Sequence, residues 1–160
     1  MPRAVPQWAK ERQARGVKFG YRSGLEEKIA AKIHGAGLEV RFEDFKIPYI
    51  MPQSEHKYTP DFLLPNGIIL EGKGIFDASD RAKHLLVRAQ YPELDIRLVF
   101  TRSSAPITKG SKTTYAMWCK KHDIKFCDKL PPDDWLREKG PDKDPMEVIK
   151  NGPFGFARPS

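Results

Sequence analysis

The stretch from Tyr58 to Lys73 constrains this chain more than any other. Two apolar runs, Phe62-Leu63-Leu64 and Ile68-Ile69-Leu70, flank Pro65-Asn66-Gly67. Proline and glycine between apolar runs mark a turn. A three-residue hairpin loop puts its last residue, Gly67, in the left-handed region. That register pairs Leu64 with Ile68, Leu63 with Ile69, Phe62 with Leu70, and Asp61 with Glu71. Residues directly opposite share a face, with β-carbons about 5 Å apart. Lys73, two residues past Glu71, shares that face too. Two carboxylates and an ammonium therefore meet at the open end of an otherwise apolar hairpin.

Two adjacent carboxylates in apolar surroundings raise each other's pKa, and a divalent cation removes the repulsion. Hard oxygen ligands on a partly open site suit Mg2+, with Mn2+ as a substitute and one or two ions per site. A cation held by Asp61 and Glu71 would polarise a phosphodiester, and Lys73 would orient or deprotonate the attacking water or stabilise the developing charge. A third carboxylate nearby would serve a second ion. Glu-x-Lys alone also occurs as an ordinary ion pair on a strand face. The joint pattern, Pro60-Asp61, a hairpin of this length, then Glu71-Gly72-Lys73, points to chemistry.

The rest of the chain reads as an α/β domain with a mixed sheet flanked by helices. Ser23 opens a helix as N-cap with Glu26 three residues on, as in a capping box. Leu25, Ile29 and Ile33 form its apolar stripe, and Gly35 and Gly37 end it. Residues 38–50 are predicted extended: Leu38, Val40 and Phe42 alternate in one phase, Phe45, Ile47 and Tyr49 in the other. The phase change near Asp44 predicts a bulge or bend. Residues 51–57 are a polar loop or an extended bridge. Ser79 and Asp80 start a second helix that Pro92 stops near Tyr91. Ile96–Phe100 is a short apolar strand, 113–122 a helix, and Ile124–Cys127 an edge strand. From 137 to 160 the chain is rich in Pro, Asp and Lys and is expected to be a loosely ordered tail.

At 160 residues the chain suits one domain. The expected divisions are a flexible basic arm at 1–20, the main domain at 21–136, and the tail. Neither an apolar run of membrane-spanning length nor a signal peptide is visible, so the expected location is the cytoplasm, without membrane partners. Cys119 and Cys127 read as reduced thiols; with His122 they lack a fourth zinc ligand and zinc-site spacing. The net charge is +7. Much of it lies before residue 23, where Arg3, Lys10, Arg12, Arg15, Lys18 and Arg22 face one acid, Glu11. A polyanion such as DNA is the natural partner of that arm, although a solvated arm that only aids solubility has the same composition.

Pro60-Asp61 … Glu71-Gly72-Lys73 resembles the PD-(D/E)xK nuclease motif. Further stretches are similar to the bacteriophage endonuclease I family of Holliday-junction resolvases: Arg22-Ser-Gly-Leu-Glu26, Tyr58 to Gly67, Lys83-His-Leu-Leu86 and Pro92 to Arg97. The resemblance is collinear over residues 18–135. It implies a restriction-endonuclease-like core and a metal-dependent endodeoxyribonuclease acting on branched double-stranded DNA in an infected bacterium. Carried over, it makes Glu26, Asp61, Glu71 and Lys73 catalytic, with metal ligation by Asp61, Glu71, Glu26 and the Gly72 carbonyl. It also implies an intertwined homodimer in which Glu26 comes from the other chain and 51–57 forms the bridge. The family pattern has Thr where this chain has Gly72. For phosphate contacts, the arm residues Arg12, Arg15, Lys18 and Arg22 and the second-helix residues Arg81, Lys83, His84 and Arg88 are candidates. Two alternatives stay open: another nicking or restriction-type nuclease of the same superfamily, and a catalytically silent DNA-binding protein.

Overall fold

The computed structural model describes residues 21, 24–51 and 54–153. The basic arm, with Arg12, Arg15, Lys18 and Arg22, lies outside the described residues, as does the proposed cap Ser23. Helix α1 spans Gly24–Gly35. Strands β1 (Ile47–Met51) and β2 (Ser54–Tyr58) pair antiparallel as a separate two-stranded unit. Strands β3 (Phe62–Leu63), β4 (Ile69–Lys73), β5 (Ile96–Phe100) and β6 (Phe126–Asp128) form a sheet in that spatial order. The β3–β4 pair is antiparallel, while β4, β5 and β6 run parallel, so the sheet is mixed. Helices α2 (Ala78–Gln90) and α3 (Tyr115–Lys121) are the two crossovers between the parallel strands. Short helices α4 (Asp133–Arg137) and α5 (Pro145–Lys150) follow.

The hairpin register read from the sequence is the one observed. Phe62 pairs with Leu70 and Leu63 with Ile69. The Gly67 N–H donates to the Leu64 carbonyl at 2.9 Å, and Gly67 has φ +93°, which a side chain rarely tolerates. Beyond the turn, the Asn66 amide donates to the Trp135 and Glu138 carbonyls and its Oδ1 accepts from the Ile68 N–H. The tip of the hairpin is thereby fastened to α4 and the segment after it.

Strand alternation sorts the core onto two faces. Leu70 and Val99 pack under α1, with Ile29, Ala30 and Ile33, and under Leu136 of α4. Ile69 and Ile96 face the other way, toward Tyr58, Val87 of α2, and Tyr91. Leu98 and Phe100 continue that second face beneath α3, against Phe76, Tyr115 and Trp118.

Three expectations need correction. Residues 38–46 form no strand; Phe42 makes only an isolated bridge to Phe62. The two apolar phases serve opposite faces of the sheet: Leu38, Val40 and Phe42 join the α1 cluster, whereas Phe45, Ile47 and Tyr49 join the α2 cluster. The chain crosses the β3 edge between them, and Glu43 makes the turn with φ +48°. Second, Asp77, and not Ser79 or Asp80, caps α2, its side chain accepting from the Asp80 N–H at 2.8 Å. Third, loose order after residue 137 does not hold through 153. Asp144 caps α5 and Ile149 is fully buried in the second core cluster. The abundance of Pro, Asp and Lys concealed a capped turn of helix with Pro145 at its start, where proline is favoured.

Candidate active site

The charged end of the hairpin is held by hydrogen bonds that its own register creates. The Gly72 N–H donates to Asp61 Oδ2 at 2.9 Å, and the Asp61 N–H donates to Glu71 Oε2 at 3.1 Å. Each carboxylate is thus pinned by the backbone of the strand opposite. The Tyr58 hydroxyl, at the end of β2, donates to Glu71 Oε2 at 2.7 Å. Lys73 Nζ lies 3.6 Å from Glu71 Oε1 and 3.4 Å from Asp80 Oδ2 in the first turn of α2. Asp61 and Glu71 are each only 5% exposed.

Glu26 reaches this site from α1 within the same chain. Its helix sits low on the sheet because Gly72 has no side chain. A β-carbon there would approach Ile29 Cδ1 to 3.0 Å and Leu25 Cδ2 to 3.4 Å. Glu26, Glu43 and Asp61 offer carboxylate oxygens that all lie within 4.8 Å of one another. These groups, with Lys46, Thr59, Glu71, Gly72 and Lys73, line a cavity of about 430 Å³.

The electrostatics are those of a site short of positive charge. Burial pushes the Asp61 carboxyl up to about 8; the Glu71 charge and, more weakly, Glu26 add to this, against the Gly72 N–H and Lys73. Burial also raises Glu71, opposed by Lys73 and the Tyr58 and Asp61 donors. The two lysines that line the cavity, Lys46 and Lys73, are outnumbered by its four acids, and a divalent cation would let Asp61 and Glu71 ionise together. The donor set is all oxygen, which fits a hard divalent ion.

Sequence reasoning missed Glu43 and Tyr58. The phase reversal near Asp44 was the available signal for Glu43, because the residue that turns the chain over the sheet edge also enters the site. Its N–H donates to the Asp61 carbonyl at 2.9 Å. Nothing in the local sequence of Tyr58 announces its bond to a residue thirteen positions away.

The expected phosphate contacts on α2 need correction for three of four residues. Arg81 is buried, and its Nη1 donates to the Phe76 and Ile107 carbonyls at 2.7 and 3.1 Å. His84 is fully buried between the rings of Tyr58 and Phe76. Burial first, then the charges of Lys73, Arg88 and Lys83, holds it well below the usual imidazole range, so it is neutral. Arg88 Nη2 donates to the Ile96 carbonyl at 2.6 Å. Positions 81, 84 and 88 recur at the spacing of a helix's inward face, alongside Val87 and Tyr91. Lys83 stays on the flank, 3.3 Å from Asp80 and with its ammonium over the Tyr58 ring. The two cysteines are free thiols, Cys119 buried and Cys127 half-buried. Among the described residues no helix is long and apolar enough to cross a membrane.

The chain matches the phage endonuclease I family over residues 6–152. Endonuclease I of Escherichia phage T7 is 52% identical over 127 residues, covering 78% of this chain and 85% of the relative. Endodeoxyribonuclease 1 of Enterobacteria phage T3 is 55% identical over 112 residues, covering 70% of this chain and 74% of the relative. With a family match that runs through the hairpin, the sheet and both crossovers, and two relatives more than half identical, the chain belongs to the phage endonuclease I family.

Proposed function

We propose that this endonuclease is a magnesium-dependent endodeoxyribonuclease that cuts branched DNA, four-way junctions above all, with Glu26, Asp61, Glu71 and Lys73 as its catalytic residues. The observation that carries the reading is the meeting of Asp61, Glu71 and Lys73 at one hairpin end, with both carboxyls raised by burial. A divalent ion held by Asp61, Glu71 and Glu26, with the Gly72 carbonyl and Mn2+ as an alternative ion, would polarise the phosphodiester and stabilise the charge of the transition state. Glu43, whose carboxylate lies within 4.8 Å of those of Glu26 and Asp61, would add a ligand to that ion or help to hold a second. Lys73, steadied by Glu71 and Asp80, donates to the attacking water or to the phosphate oxygen as charge develops.

A junction-selective enzyme needs phosphate contacts spread widely, because phosphates position without reading sequence. Lys83 on α2 and the basic arm of residues 1–20 are assigned to this task, with Arg12, Arg15, Lys18 and Arg22. The loop at 101–114 joins them. It starts one residue beyond Phe100, the partner of Lys73 in the parallel ladder, and exposes Arg102, Lys109 and Lys112. The buried guanidinium of Arg81 anchors this loop through Ile107.

A homodimer with exchanged segments belongs to the same reading. The segment through residue 46 is followed by β1 and β2, which fold back on each other in one chain. Opened out, this hairpin would form a bridge at 51–57 that carries α1 and Glu26 to a second copy, a common route to dimers. Cleavage of a four-way junction and of linear duplex with the same arm sequences, in Mg2+, tests the substrate. Strong preference for the junction is expected, and equal cutting would sink the resolvase reading. Sedimentation of the intact chain tests the dimer.

A further inference from the structure

We propose that Tyr58 is a positioning residue for the metal site, fixing Glu71 so that only Oε1 is presented to the cation. This rests on the divalent-metal reading above.

Glu71 Oε2 receives two hydrogen bonds, one from the Tyr58 hydroxyl at 2.7 Å and one from the Asp61 N–H at 3.1 Å. Two donors satisfy the two lone pairs of a carboxylate oxygen. Oε1 is the atom on the Lys73 side, at 3.6 Å. The carboxylate is therefore asymmetric: Oε2 is committed to two protein donors, whereas Oε1 has only the Lys73 ammonium at 3.6 Å, on a residue that lines the cavity.

Of the two donors, the Asp61 N–H is fixed by the backbone of the hairpin. The Tyr58 hydroxyl is aimed by packing. Tyr58 is only 2% exposed, His84 meets its ring edge-on at 5.3 Å, and Lys83 Nζ lies 5.2 Å over the ring. Phe76 closes the far side of His84 at 5.5 Å. Among the described residues neither ring nitrogen of His84 has a hydrogen-bond partner, so this imidazole acts here as a shaped wall and exchanges no hydrogen bond with Tyr58. The wall belongs to α2 and Tyr58 to β2, so the aim of the hydroxyl depends on how the β1–β2 unit sits against the helix. Outer groups that orient a ligating carboxylate typically contribute 10–100-fold to metal affinity.

The test is Tyr58→Phe, which keeps the ring and its packing and removes the donor. Binding of Mn2+ alone is measured by titration calorimetry on the full-length protein, alongside the Mg2+ dependence of cleavage. Expected are about 10–100-fold weaker Mn2+ binding, a matching rise in the Mg2+ concentration for half-maximal rate, and recovery of turnover at saturating Mg2+. Asn66→Ala is the control, since it loosens the far tip of the β3–β4 hairpin by removing the bonds to the Trp135 and Glu138 carbonyls and leaves the β1–β2 unit untouched. It should leave Mn2+ binding unchanged. Unchanged binding in Tyr58→Phe overturns the proposal. Equal weakening in both variants also overturns it, because general loosening would then be the cause. Failure of the wild type itself to bind Mn2+ would instead overturn the metal reading on which the proposal stands.

Discussion

The two ends of the β3–β4 hairpin solve the same problem in opposite ways. Both place polar groups against an apolar strand pair. At the tip, the Asn66 side chain is neutral and makes three hydrogen bonds, to the Trp135 and Glu138 carbonyls and the Ile68 N–H. At the open end, Asp61 and Glu71 are acidic, buried and adjacent, and their hydrogen bonds do not cancel their repulsion. The tip is complete without any other species. The open end is left with a repulsion that a cation would relieve. Polar groups that hold a fold find partners within it, whereas a reserve of charge such as this costs stability.

The sharpest way to break this contrast is Lys73→Ala. It should lower the cleavage rate at saturating Mg2+ by about 10²–10³-fold, as for loss of one positioned donor to a transition state. The same rate measured in Asn66→Ala should stay within a few-fold of wild type. In denaturant unfolding, Asn66→Ala removes three part-buried hydrogen bonds and should lose about 1–3 kcal/mol. Asp61→Asn removes the need to take up a proton on folding at neutral pH and should raise metal-free stability while abolishing cleavage.

The pH dependence of the metal-free protein offers a further test. Asp61 has a folded pKa near 8, above its unfolded value, so the native state binds the extra proton between them. The contribution is full below the ordinary carboxylate range and is lost as pH rises through about 8. For one proton the slope is at most about 1.4 kcal/mol per pH unit. Melting in EDTA should therefore show stability falling across that window, and Mg2+ should raise the Tm more at pH 8 than at pH 5. A metal-free Tm that climbs with pH in this window would contradict the reserve of charge.

The smallest effect expected is at Gly72. Gly72→Thr drives a β-carbon to 3.0 Å from Ile29 Cδ1 and should cost about 1 kcal/mol or more through overpacking. Ile29→Val removes that methyl and should recover most of the loss in the double variant, a coupling that a double-mutant cycle measures directly. Additive losses would mean that α1 does not rest on Gly72.

The hairpin was legible because its information is local. Period-two alternation, one turn with glycine in the left-handed position, and a fixed register bring Asp61, Glu71 and Lys73 to the open end of one hairpin. The strand at Ile96–Phe100 and helix α1 were legible for the same reason, from an apolar run and an apolar stripe. The α2 cations show where local reading fails. Arg81, His84 and Arg88 look like a basic surface, yet their spacing is that of the buried face. The guanidiniums are accommodated because carbonyls at Phe76, Ile107 and Ile96 accept from them.

By itself, then, the amino-acid order determined the chemistry at the hairpin, since strand pairing fixes which side chains face each other. Tertiary structure alone decided what surrounds that chemistry. The chain crosses the sheet edge at Glu43 and so adds a carboxylate. The seat of α1 on Gly72 brings Glu26 beside Asp61, and β2 carries Tyr58 to Glu71. These contacts join residues far apart along the chain. They follow from which faces pack together, and no pattern within one segment encodes that choice.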